Sequence, residues 1–142
     1  MSTAIRERLK PLIGDTDLHN LDDYIGFFRQ SEDVEGIKQA MRDSEKEWGA
    51  GYNQTVGPIF QILYKQDETI KQSVNEQMIK LGVPEQAIIE YFTTCCHIGG
   101  PALSVGNIGK MIPDDKKEPF LELSNQLMLT FIRGYLGLEQ LG

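Results

Sequence analysis

The two cysteines of the chain are adjacent in sequence, at positions 95 and 96, and His97 follows them directly. An imidazole beside a thiol can lower the pKa of the thiol and so create a nucleophile or a redox-active thiolate. Consecutive residues of a helix, however, point about 100° apart, and a predicted helix ends here, where its dipole opposes a thiolate. Two interpretations stay open: a reactive site, or two small buried side chains beside a helix-ending histidine.

Metal binding is a second kind of chemistry that the sequence can be tested for. The donors Cys95, Cys96 and His97 are adjacent and lack the spacing of paired ligands in tetrahedral sites. The acidic run from Asp15 to Asp23 alternates like a calcium loop, but Asn20 and Gly26 occupy the positions that require Gly and Glu. The acids of this run are better explained as helix caps and first-turn residues. We therefore predict no metal site and no cofactor.

A glycine-rich segment, residues 99–109, follows the cysteines and breaks the regular helical pattern. Backbone N–H groups exposed by glycine can bind phosphate, but neither nucleotide-binding glycine pattern is present and no strand precedes the segment. Small residues also let chain segments pack closely. Departures from local regularity often mark function, so we predict that any small-ligand site lies here. The residues assigned to it are Cys95, Cys96, His97, Gly99 and Gly100.

Apolar residues recur at helical spacing almost throughout, and no segment alternates over the length of a strand. The spacing predicts a first helix ending at Gly14, a second over residues 18–28 and a third from Val34 to Trp48. A fourth begins at Pro58 and ends at Gly82, with a break near Gln66-Asp67 left open. The later predicted elements are a helix opened by Pro84, a short or irregular segment through Ile112, and a last helix from about Pro119 to Leu136.

The last predicted helix carries apolar residues on nearly all of its faces. Such a helix is either central in its own bundle or shared with a partner. As contacts to a second copy or another protein we predict Leu121, Met128, Ile132 and Tyr135. The chain as a whole is predicted to be all-α, a single-domain bundle of about five to seven mostly antiparallel helices over residues 1–142.

Composition restricts the classes of partner. The chain has 142 residues, a formal net charge of −7 and a pI of about 4.8. Without a basic stripe, neither nucleic acid nor an anionic membrane surface is an expected partner. The longest uncharged run, Tyr91 to Gly109, contains too many glycines and polar residues for a membrane span, so we expect it to be buried protein interior. Two free cysteines favour a reducing compartment, the cytoplasm.

Two hypotheses about function follow. The favoured one is a non-enzymatic helical interaction domain, adaptor or regulatory in kind, that self-associates as a homodimer. The alternative is a small-ligand-binding or thiol-dependent protein whose site surrounds the Cys-Cys-His and glycine-rich segment. Light scattering and the reactivity of the thiols distinguish them, because only the first requires a partner surface and only the second requires an accessible group for chemistry.

Overall fold

The computed structural model describes residues 7, 8, 10, 11, 26, 28, 29, 33–43 and 52–138. In this part of the chain there are seven α-helices, one π-helical turn and no strand, which confirms the all-α prediction. The first and second predicted helices, and the third beyond Asp43, lie outside the described residues except at single positions. None of the described helices is long and apolar enough to cross a membrane.

The first half of the described chain forms three helices. They are α1 (Val34–Asp43), α2 (Tyr52–Gln66) and α3 (Glu68–Leu81). Asp67 separates α2 from α3, because its backbone is extended and its carboxylate accepts a hydrogen bond from the Ile70 N–H at 3.1 Å. Gly82 ends α3 in the left-handed conformation, with φ +106°. The break that the sequence left open near Gln66-Asp67 is therefore present.

The second half begins with a short helix, α4 (Glu85–Glu90), that follows Pro84 and continues as a π-helical turn over Tyr91–Cys95. Two short helices follow, α5 (Gly100–Val105) and α6 (Asn107–Met111). The long α7 (Asp114–Leu136) closes the described fold and packs against both α2 and α3. Arg133 of α7 is buried and donates a hydrogen bond to the Phe28 carbonyl oxygen.

Two predicted helix starts were wrong. Pro58 lies inside α2 and Pro119 lies inside α7, although both were expected to open helices. A proline within a helix removes one backbone hydrogen bond. Both prolines are exposed, whereas the residues around them bury large side chains, such as Phe60 and Phe120. The turn of α2 before Pro58 is largely buried, and this burial outweighs the lost bond. The turn of α7 before Pro119 is exposed or half-buried and begins with two acidic residues, whose charges are favourable at a helix N-terminus.

An aromatic cluster at the centre of the core joins three elements, α2, the π-helical turn and α7. Ring centroids of neighbouring members lie 4.9 to 6.3 Å apart, several of them edge to face. The members of this cluster are Phe60, Tyr64, Tyr91, Phe92 and Phe120. Tyr91 and Phe92 belong to the π-helical turn, so the segment with the unusual sequence is anchored in the most densely aromatic part of the core.

Candidate functional site

The Cys-Cys-His segment begins inside the π-helical turn. Wider than an α-helical turn, this geometry is rare and often occurs where a helix is adapted to function. The Thr93 hydroxyl donates to the Ile89 carbonyl oxygen at 2.8 Å, and the Thr94 hydroxyl donates to the Glu90 carbonyl oxygen at 2.7 Å. These side-chain bonds supply partners to carbonyls near the junction of α4 with the π turn. The two bonds fix the side chains of Thr93 and Thr94, which directly precede Cys95 and Cys96.

Cys96 faces the interior and is fully buried. Its thiol donates to the Gly57 carbonyl oxygen of α2 at 3.4 Å and also lies 3.8 Å from the Phe92 carbonyl oxygen. Burial raises the pKa of the Cys96 thiol to about 12. At neutral pH this side chain is therefore a protonated thiol that packs against α2, with no access for a reagent or substrate.

Cys95 and His97 have other surroundings. Cys95 is half-buried and its sulfur lies 3.3 Å from the Thr94 hydroxyl oxygen. His97 Nδ1 lies 3.0 Å from the Gln61 side-chain nitrogen of α2. With the amide donating, Nδ1 accepts and the proton of the neutral ring resides on Nε2. The structure thus gives each of the three residues a different partner and brings none of them together as a thiol–imidazole pair.

Gly57 of α2 lies directly against the chain at Cys96 and His97. A Cβ at position 57 would fall 2.6 Å from His97 Cα and 2.8 Å from the Cys96 carbonyl oxygen. Backbone therefore meets backbone at this crossing, which only glycine permits. Sequence reasoning missed Gly57, because the helix was predicted to begin at Pro58 and Gly57 therefore lay outside it.

Two asparagines complete the junction and were not predicted. The Asn53 amide nitrogen donates to the Cys96 carbonyl oxygen at 3.2 Å and to the Asn125 side-chain oxygen at 3.1 Å. The Tyr52 hydroxyl donates to the Asn125 carbonyl oxygen at 2.7 Å. Gly99, with φ +80°, leaves room for Asn53, since a Cβ there would lie 2.8 Å from Asn53 Cγ. No sequence motif links Asn53 with Asn125, because they lie on different helices far apart in the chain.

The residues predicted to contact a partner divide into two pairs. Met128 and Ile132 are fully buried in the core of the chain itself. Leu121 and Tyr135 are half-buried and pack on the edge of that core. Of the four predicted contacts, only Leu121 and Tyr135 therefore retain surface for another molecule in this structure.

No protein-family model, curated protein or solved structure matches this chain. Within the described ranges, no three side chains of His, Cys, Asp or Glu are grouped as metal ligands. Cys95 through Gly100 lie at the end of the π turn. This segment packs closely on α2 at Gly57, and Asn53 connects it by hydrogen bonds to Asn125 of α7. The groups in this arrangement with exposed surface are the Cys95 thiol, the His97 ring and Ile98, whose side chain is 46% exposed.

The two thiols are expected to react with a thiol reagent in separate phases. In the folded protein at neutral pH one equivalent per chain, Cys95, should be modified, because Cys96 is buried and protonated. The second equivalent should appear only after denaturation. Timed labelling followed by peptide mass spectrometry measures both phases, with Cys95→Ser as the control that removes the first. Modification of Cys96 at the rate of Cys95 in the native protein would contradict this assignment.

Proposed function

We propose that this chain is a non-enzymatic helical interaction domain that self-associates through its final helix, α7. The observation that supports this proposal is that several apolar side chains of α7 remain partly exposed, although the helix packs into the core. Those side chains are Leu121, Leu123, Phe131 and Tyr135. Removal of such apolar surface from water favours association.

The geometry around the cysteines supports an interaction domain over an enzyme. Cys96, one of the two cysteines of the thiol hypothesis, is buried. His97 has a hydrogen bond with an amide rather than with a thiol or a carboxylate. Asn53 and Asn125 use their amides to connect elements. This segment therefore contributes to holding α2, the π turn and α7 in fixed relation, and so presents the α7 surface as a rigid unit.

The partner that we propose is a second copy of the chain or another protein, in the cytoplasm. A net charge of −7 opposes binding to nucleic acid or to an anionic membrane. Both cysteines are free thiols, which agrees with a reducing compartment. An interface with a largely apolar centre is compatible with this charge, because charged residues are depleted from interface cores.

Self-association predicts a mass of about 32 kDa, twice the 16.0 kDa of one chain, in light scattering at micromolar concentration. The double variant Leu121→Ser/Tyr135→Ser should shift the protein to the monomer, because it removes apolar surface from the proposed contact. The matched control is Gln126→Ser/Thr130→Ser, which changes two exposed residues of the same helix and should leave the mass unchanged. A wild-type monomer at high micromolar concentration would contradict the proposal.

A thiol-dependent activity is the second candidate function, and the observation that favours it is the half-buried Cys95 sulfur beside the Thr94 hydroxyl. A thiol tuned for reaction should be alkylated faster than glutathione at the same pH, since its thiolate fraction would be higher. Alkylation of Cys95 at or below the rate of glutathione would remove this candidate.

A further inference from the structure

We propose that a groove formed by α5, α6 and the start of α7 binds a small organic anion, with a phosphate or carboxylate group on an apolar body. The groove has a volume of about 450 Å³, within the range typical of small-molecule sites. Its lining residues are Leu103, Ser104, Gly106, Gly109, Lys110, Asp114 and Lys117. None of the residues from Cys95 to Gly100 lines the groove. Four of its lining residues, Leu103, Ser104, Gly106 and Gly109, belong to the glycine-rich segment in which the sequence predicts a ligand site.

Two glycines shape the wall of the groove. A Cβ at Gly109 would lie 2.4 Å from the Leu103 carbonyl oxygen, so α6 approaches α5 more closely than any side chain would allow. A Cβ at Gly106 would lie 3.4 Å from the Ala102 carbonyl oxygen, an ordinary van der Waals distance. Gly109 therefore permits the close packing of α6 on α5, and the exposed Gly106 places no side chain in the groove that it lines.

The charge of the groove favours an anion. Lys110 and Lys117 contribute two positive charges and Asp114 one negative charge, so this surface is positive in a chain whose net charge is −7. Among the described residues Lys110 makes no ion pair, whereas Lys117 pairs with Asp114, whose side chain is 97% exposed. An ammonium has three N–H donors. Lys117 can therefore donate to a ligand while it keeps its bond to Asp114.

The remaining lining residues indicate what else the ligand carries. Leu103 is the apolar residue of the lining and is 2% exposed, so it gives the apolar body of a ligand only a small contact, while the exposed Ser104 offers a hydroxyl that can donate to an anion. A ligand with an apolar body and one anionic group satisfies both kinds of contact. The Asp114 carboxylate remains ionised, because the Lys117 hydrogen bond and charge lower its pKa, and its single negative charge leaves the groove with a net charge of +1.

The experiment is a titration of the full chain with phenyl phosphate, benzoate and the neutral benzyl alcohol, followed by backbone amide chemical shifts. We expect millimolar phenyl phosphate, benzoate or both to shift the amides of Ser104, Lys110 and Lys117. The two anions distinguish phosphate from carboxylate recognition. No shift with either anion, or equal shifts with benzyl alcohol, would overturn the proposal.

Variants test whether the two ammonium groups hold the anion. Lys110→Gln/Lys117→Gln should weaken binding about tenfold or more, because it removes both positive charges and the charge-assisted hydrogen bonds that they donate. The matched control is Lys80→Gln, an exposed lysine of α3 outside the groove, which should bind as the wild type does. Unchanged affinity in the double variant, or equal weakening in the control, would overturn the site. These outcomes do not depend on the oligomeric state.

Discussion

Replacing Phe92 with Ala is expected to lower the free energy of unfolding by about 4 kcal/mol, since truncating a buried Phe costs 3 to 5 kcal/mol. Phe92 is fully buried, and its ring contacts those of Phe60, Tyr64 and Tyr91 at centroid distances of 5.1 to 5.5 Å. The substitution removes the side chain that connects α2 with the π turn. Urea denaturation followed by circular dichroism measures the loss as a lower midpoint at an unchanged slope.

Two further variants keep this prediction decisive. Phe92→Leu retains much of the buried volume and should lose considerably less, so it tests the site even where the alanine variant does not fold. Ile62→Ala is the control, because Ile62 of α2 is 37% exposed and lies outside the proposed α7 contact, so its loss should cost on the order of 1 kcal/mol or less. Equal losses for Phe92→Ala and Ile62→Ala would show that Phe92 is not at the centre of the core.

Gly57→Ala is expected to be strongly destabilising although it adds a single methyl group, with a loss of about 2 to 3 kcal/mol. The new Cβ would lie 2.6 Å from His97 Cα and 2.8 Å from both the Cys96 carbonyl oxygen and the His97 nitrogen. These are backbone atoms, which cannot rotate away as a side chain can, so α2 and the chain at His97 must separate. The separation should also weaken the contact between Gln61 and His97 Nδ1, which histidine NMR shifts would detect.

The control for Gly57 is the same substitution at Gly26. Gly26 is also helical, but a Cβ there meets no atom within 4 Å. Because alanine is about 1 kcal/mol more favourable than glycine within a helix, Gly26→Ala should stabilise the protein or leave it unchanged. A Gly57→Ala variant as stable as Gly26→Ala would mean that the close crossing of α2 with the Cys96-His97 segment is absent in solution.

The helical class of the fold could be predicted because it depends on local patterns. Apolar spacing places the buried residues Ile70, Val74 and Met78 on one face of α3, whatever α3 packs against. Asp67 and Gly82 bound that helix through their own backbone preferences and capping contacts, which need no distant residue. Such features are present in the sequence before any tertiary contact forms.

The prolines show where local reasoning fails. Proline at the first position of a helix satisfies every local preference, so Pro58 and Pro119 were predicted as helix starts. The actual start of α2 depends on how much surface the turn before Pro58 buries. Tyr52, Thr55 and Val56 are buried, and the free energy of their burial exceeds the cost of one missing hydrogen bond. That comparison requires the packed structure.

The Cys-Cys-His segment shows both what the sequence could predict and what required the tertiary structure. From the sequence alone it was clear that regular helix ends in this region, because glycines and a proline follow Cys95, Cys96 and His97 within a few residues. The sequence could not decide whether a thiol was buried or reactive, because that depends on which side of the turn faces α2. Only the tertiary structure shows the hydrogen-bond partners: the Gly57 carbonyl for the Cys96 thiol, the Gln61 amide for the His97 ring, and the Asn53 amide for the Cys96 carbonyl. Those contacts join residues far apart in the chain, and their geometry is determined by the rotation and crossing of packed helices.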